Sequence, residues 1–239
     1  MAGFNLIGLG LDLGAVGIEA IGIIKKADRV YVESYTVDLP YSLEHLAKVL
    51  GKDIFPLTRM MTENEKFVED AKEKEIVLLV YGSPLMATTH ISLLLKCKKE
   101  NIKYKIFQNA SIFDGVAETG LQAYKFGKTT SMPKWEKNYR PESFIDVIKD
   151  NKKIKAHTLL LIDIGLHYSD ALKQLEEASS NKIKIEKMVV CSNIGTKHSK
   201  MYYRDFEELY GLEVSAPFCF IIPGDLHFLE EDALKELSN

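Results

Sequence analysis

Residues 4–10 read FNLIGLG, an apolar run interrupted only by Asn5 that closes on two glycines. A run this short and this apolar suits a strand buried on both faces, as in a sheet covered by helices. Six more runs of the same kind follow: 30–33 (VYVE), 76–82 (IVLLVYG), 104–109 (YKIFQN), 158–163 (TLLLID), 188–193 (MVVCSN) and 218–223 (FCFIIP). Between them the period changes. Leu43, Leu46, Ala47 and Leu50 keep helical spacing behind Ser42 as N-cap, with Gly51 as the stop. Thr62 and Glu65 have capping-box spacing ahead of Phe67, Val68 and Ala71. Pro141 stands where a helix start tolerates it, before Phe144, Ile145 and Ile148. Residues 204–210 and 226–237 complete the predicted helices. Strands alternating with helices predict an α/β protein with one or more mainly parallel sheets. A polar break at Asn109-Ala110-Ser111 divides it into two α/β domains, 1–108 and 109–239.

Composition narrows the function. The chain has 239 residues, 46% of them hydrophobic and 27% charged, with 31 Lys+Arg against 34 Asp+Glu. A near balance of this kind argues against affinity built on nucleic-acid phosphates. Cys97, Cys191 and Cys219 form no metal-ligand spacing and an odd count, so neither a zinc site nor a disulfide framework is expected. The stretch from Leu6 to Ile24 is hydrophobic but contains Asp12 and Glu19, each costly in a bilayer. A cytoplasmic protein with no membrane span is expected.

Ligands of open parallel sheets bind beyond the strands' carboxyl ends. Five such ends carry small residues: 8–14 (GLGLDLG), 82–84 (GSP), 109–111 (NAS), 163–165 (DIG) and 192–195 (SNIG). Any one of them reads equally as a turn; five together point to a ligand cleft whose backbone groups are open to the ligand. The dinucleotide fingerprint fails, because Gly8 and Gly10 are followed by Gly14 instead of a glycine at 13. The first three loops contain no Lys or Arg, which disfavours a di- or triphosphate. Glu33 sits where a ribose-binding acid would lie, though acids at strand ends are more often solvated. Ser83 lacks a nucleophile motif. His90 suits a base or, more commonly, a capping or packed side chain. Asp163 either holds a ligand or caps its loop. Residues 134–140 (KWEKNYR) suit a macromolecular contact or a packed surface loop. No catalytic residue is assigned, and no metal.

An ordered series of blocks runs through these loops: LIGLGL at 6–11, KKADRVYVESYT at 25–36, ATTH at 87–90 and NASI at 109–112. GLQAYKFGKT at 120–129, RPESFIDVIKDN at 140–151, HTLLLIDI at 157–164 and IIPG at 221–224 follow. The series resembles the diphthine synthases, a diphthamide-biosynthesis family within the tetrapyrrole-methylase-like class. The resemblance implies two α/β domains with a cofactor cleft between them, usually in a homodimer. It implies S-adenosylmethionine as cofactor and S-adenosylhomocysteine as its product. The implied substrate is a modified histidine of elongation factor 2, whose amino group is methylated. By motif matching, the cofactor residues would be Leu11, Ser83, Met86, Ser111, Ile112, Ile162, Ile194 and Phe218. Aromatic faces such as Phe218 or Tyr81 would help to hold a cationic product.

The chain departs from the family in three places. Ser83 stands for the acid of Gly-Asp-Pro, Phe218 for a common His, and Gly17 and Glu19 for Thr and Lys. The alternatives are a tetrapyrrole methylase of the same fold, or a binding protein of that fold that has lost the cofactor.

Overall fold

The computed structural model describes residues 2–238. The chain forms two compact units, the first ending at Ile112 and the second beginning at Phe113. In the first unit the strands are β1 (Gly3–Gly8), β2 (Arg29–Glu33), β3 (Phe55–Leu57), β4 (Glu75–Val80) and β5 (Tyr104–Phe107). Its helices are α1 (Ile18–Lys26), α2 (Leu43–Leu50), α3 (Arg59–Asn64), α4 (Lys66–Glu69) and α5 (Ile91–Lys99). The strands pair in the order β3-β2-β4-β1-β5, all parallel. The two central strands are buried throughout except for Glu75 at the start of β4, as their apolar runs require. One face packs Phe4, Leu6, Ile76 and Leu78 with Leu93 and Cys97 of α5. The other packs Ile7, Val77 and Leu79 with Ile24 of α1 and Leu46 of α2. Ser42 accepts the His45 amide at the start of α2, and Gly51 ends that helix at φ 63°, where a side chain would be strained.

α6 (Ile112–Gly115) is followed by β6 (Thr130–Met132), α7 (Ser143–Lys153), β7 (Thr158–Ile162) and α8 (Tyr168–Ser179). β8 (Lys187–Ser192), β9 (Lys200–Asp205), β10 (Phe218–Ile222) and α9 (Phe228–Glu236) complete the second unit. Its sheet has the order β6-β7-β10-β8-β9. Only β6 and β7 pair in parallel; β10 runs antiparallel to both β7 and β8, and β9 antiparallel to β8. This sheet therefore departs from the mainly parallel expectation. Its core packs Leu160, Val190 and Phe220 against Phe144, Ile148, Leu172 and Leu175.

Three helix predictions change. Residues 200–205 are an edge strand, and only Glu208–Gly211 beyond it turns as a short 3-10 helix. The adjacent tyrosines of KMYYRD favour a strand, half-buried along its middle four residues, which overrides the helical reading of 204–210. Thr62 lies inside α3 and returns its hydroxyl to the Thr58 carbonyl, while Thr58 is the N-cap. The helix breaks at Glu65, whose φ is 55°, so no single helix runs from Thr62 to Ala71. Pro141 precedes the N-cap Glu142 of α7 and offers its carbonyl to the Trp135 indole N–H.

Candidate functional site

In the first unit the loops after β1, β4 and β5 are knitted together. Gly10 and Gly82 exchange backbone hydrogen bonds of 3.1 and 2.9 Å. Asn109 donates its side-chain amide to the carbonyls of Gly8 and Ala15. Tyr81 donates its hydroxyl to the Leu11 carbonyl at 3.1 Å. Ser83 donates to the Gln108 side-chain oxygen at 2.9 Å. The Met86 amide returns to the Ser83 carbonyl at 3.2 Å.

Two glycines here serve this knitting instead of a ligand. A Cβ on Gly8 would stand 2.6 Å from the Gly82 carbonyl oxygen, and one on Gly10 would stand 2.6 Å from the Ala15 side chain. Gly82, at φ 74°, brings the strand end up to Ser111, whose Cα would lie 3.6 Å from an added Cβ. Gly14 and Gly17 have open space beside them.

Five of the predicted cofactor residues thus belong to one loop cluster at the carboxyl edge of the first sheet. Leu11, Ser83 and Ser111 are buried, Ile112 is half-buried, and Met86 is exposed. Ser83 satisfies its hydroxyl locally, on Gln108.

The other three lie on one edge of the second unit's sheet. Phe218 opposes Ser192 across the β10–β8 pair, and the neighbouring Cys219 opposes Leu161 on β7, which places Ile162 beside the start of β10. Ile194 follows β8 and is buried. Its loop is stitched to the segment before β10: the Asn193 amide donates to the Pro217 carbonyl and the Ser192 hydroxyl to the Ser215 carbonyl. The Phe218 ring meets Tyr168 edge-on at 5.7 Å and is tilted against Phe220 at the same distance.

The remaining candidates make contacts within the protein. Glu33 is fully buried, not solvated, and its carboxylate accepts from the Tyr35 amide and the Thr36 hydroxyl, closing the turn after β2. Asp163 caps loops by accepting from the amides of Ile164 and Lys134. His90 is buried and donates Nδ1–H to the Pro84 carbonyl at 3.1 Å, so it packs against the Ser83 loop. In the Trp135 segment only Trp135 is half-buried: its indole N–H is bonded and Arg140 stacks over the ring while pairing with Glu177, and residues 136–140 are exposed. Among the described residues no three His, Cys, Asp or Glu side chains gather as a metal site.

One polar cluster escaped the residue-by-residue reading. His157 and Glu230 are both fully buried, with Nε2 and Oε1 3.0 Å apart. Gly224 N–H donates to His157 Nδ1, so the ring proton sits on Nε2 and points at Glu230. Burial pushes Glu230 upward, but the His227 amide, Lys125, the Gln122 amide and His157 together hold its pKa down at about 2. Burial lowers His157 from its ordinary value against the pull of Glu230. Lys125, His157 and Gly224 come from the YKFG, HTLLLIDI and IIPG blocks, and that shared membership was the available signal.

A family model described as Tetrapyrrole (Corrin/Porphyrin) Methylases matches residues 3–210. A diphthine synthase of Methanococcus aeolicus is 40% identical over 97% of this chain and 96% of its own length. One from Methanocaldococcus jannaschii is 40% identical over 97% of both chains. A crystal structure of a diphthine synthase superposes with a TM-score of 0.89 at 30% identity, covering 98% of this chain and 95% of that one.

Proposed function

The chain belongs to the diphthine synthases of the tetrapyrrole methylase family, a family of methyltransferases, and from that premise we propose what it binds and what it methylates. Its cofactor is S-adenosylmethionine and its substrate is the amino group of the modified histidine on elongation factor 2. Leu11, Ser83, Met86, Ser111 and Ile112 of the first unit hold the cofactor, as do Ile162, Ile194 and Phe218 of the second. The two units act as its two α/β domains, and the enzyme works in the cytoplasm as a homodimer.

The observation that carries this reading is the loop cluster of the first unit. It gathers small side chains and loop backbone, part of it spent on bonds between the loops, and no Lys or Arg occurs in its three loops. A nucleoside that carries no phosphate suits such a donor set, whereas a nucleotide would leave its anionic oxygens unmatched. S-adenosylmethionine supplies a methyl group on a sulfonium, an intrinsically good leaving arrangement. The chain's task is then alignment and exclusion of water. Buried Leu11 and Ile194 supply apolar surface for that purpose.

Calorimetric titration with S-adenosylmethionine tests the cofactor assignment. We expect saturable heat, with a dissociation constant that moves less than about twofold between low and high salt, because the three first-unit loops contain no Lys or Arg to pair with the ligand. A flat titration would instead favour a binding protein that has lost the cofactor.

A further inference from the structure

Three side chains at the carboxyl edge of the first sheet are unused by the cofactor assignment. Asp12 follows Leu11, Tyr41 lies just ahead of α2, and Tyr81 follows β4. The two tyrosine rings meet edge to face, with centroids 6.4 Å apart and planes at 66°. Tyr81 is anchored through its hydrogen bond to the Leu11 carbonyl. Tyr41 has no equivalent: its hydroxyl oxygen is shut off from water and finds no hydrogen-bond partner. Buried hydroxyls of folded proteins are nearly always paired, so an orphan at a ligand-binding edge is informative. Burial, followed by Tyr81 and Asp12, raises the Tyr41 pKa, and burial followed by Asp12 raises that of Tyr81, so both phenols stay neutral. Asp12 itself spends one carboxylate oxygen on the Leu13 amide at 2.8 Å.

We propose that Asp12, Tyr41 and Tyr81 form the subsite for the substrate's amino group, with the carboxylate facing the nitrogen that becomes cationic and the two rings walling it. The inference rests on the reading of this chain as an amine methyltransferase. In that reaction the nitrogen lone pair forms the new N–C bond while the C–S bond breaks. The bonding pair returns to sulfur, and the positive charge passes from sulfur to nitrogen. A carboxylate placed at the nitrogen strengthens its interaction as that charge grows. Ring faces attract the same cation. The neutral Tyr41 hydroxyl, closed to water in the free protein, accepts an N–H of the amine once the substrate has opened the Tyr41–Tyr81 contact, which pairs the atom that the protein leaves orphaned. Between transfers the alkylated nitrogen sheds an N–H proton to water and regains its lone pair. A fully methylated nitrogen has no N–H left, loses the Tyr41 bond and keeps only the charge contacts, which favours its release.

The test uses the intact protein and three variants. Asp12→Asn keeps an oxygen for the Leu13 amide while removing the charge, Tyr41→Phe removes the hydroxyl, and Tyr41→Leu removes the ring. Methylation of elongation factor 2 carrying the unmethylated precursor is followed by mass. Tetramethylammonium chloride is titrated separately, with the tyrosine ring resonances observed by NMR. We expect D12N and Y41L to slow methylation by at least about tenfold, with S-adenosylhomocysteine affinity kept within about threefold. We expect Y41F to accumulate partly methylated product. Tetramethylammonium should shift the Tyr41 and Tyr81 rings of the wild type, and this response should be lost in D12N. Wild-type rates in D12N and Y41L, or ring resonances that ignore tetramethylammonium in the wild type, would overturn the subsite. A wild-type protein that neither binds S-adenosylhomocysteine nor methylates the factor would overturn the function itself.

Discussion

Ser83 concentrates the question of how this cluster holds its cofactor. The resemblance places an acid at this position; here a hydroxyl donates to Gln108 and is buried. If main-chain groups do most of the binding, returning the acid changes little. Ser83→Asp is therefore expected to shift S-adenosylhomocysteine affinity by less than about threefold, well below the 1.4 kcal/mol of a tenfold change. Calorimetry on the variant checks this, and a gain of tenfold or more would mean that the carboxylate itself matters. Phe218, a second departure, lies with its ring against Tyr168 and Phe220.

Among the elements, the buried ionic cluster joins the segment around Lys125, the start of β7 and the N-terminus of α9. Removing one partner of a buried, hydrogen-bonded charge pair costs roughly 3–5 kcal/mol. Glu230→Ala is expected to destabilise the protein on that scale, as measured by denaturant unfolding. The pH dependence has a definite sign. Glu230 titrates below its ordinary value, at about 2, so its stabilisation is complete above about 4.5 and drains away as pH falls toward 2. His157 is also lowered, so the unfolded chain takes up its proton first, and stability is lost as pH drops below the ordinary 6.5. Both effects weaken the fold in acid, and Glu230→Ala should flatten the lower part of that curve.

This element scale also shows what the sequence made legible. The seven apolar runs are seven strands; six lie inside their sheets, where burial leaves little room for polar residues, and β5 is an edge strand with an exposed Lys105. The three strands that no run announced, β3, β6 and β9, all lie at sheet edges. β3 and β6 are three residues long, too short for a run, and β9 is at most half-buried along its length; β3 even tolerates Pro56, which an edge permits. The small-residue loops were visible, but their division of labour was not. Gly8 and Gly10 are small to let loops touch each other, a requirement that only the folded packing reveals. Tyr41 gave no signal either, since a lone tyrosine in a loop has no pattern and its orphaned hydroxyl exists only in three dimensions.

For the whole molecule, the near balance of charge, the cation-free loops of the first unit and the ordered blocks across nearly the full chain agree on one chemistry. Among the described residues no helix is long and apolar enough to cross a membrane. The alternatives separate at this scale, because a tetrapyrrole methylase and a cofactor-less binder would both leave elongation factor 2 untouched. The most direct measurement is the mass of elongation factor 2 bearing the unmethylated histidine precursor, taken before and after incubation with this protein and S-adenosylmethionine. A stepwise gain of whole methyl groups on that residue is the predicted result. An unchanged mass, under conditions in which an active diphthine synthase modifies the same preparation, would contradict the account.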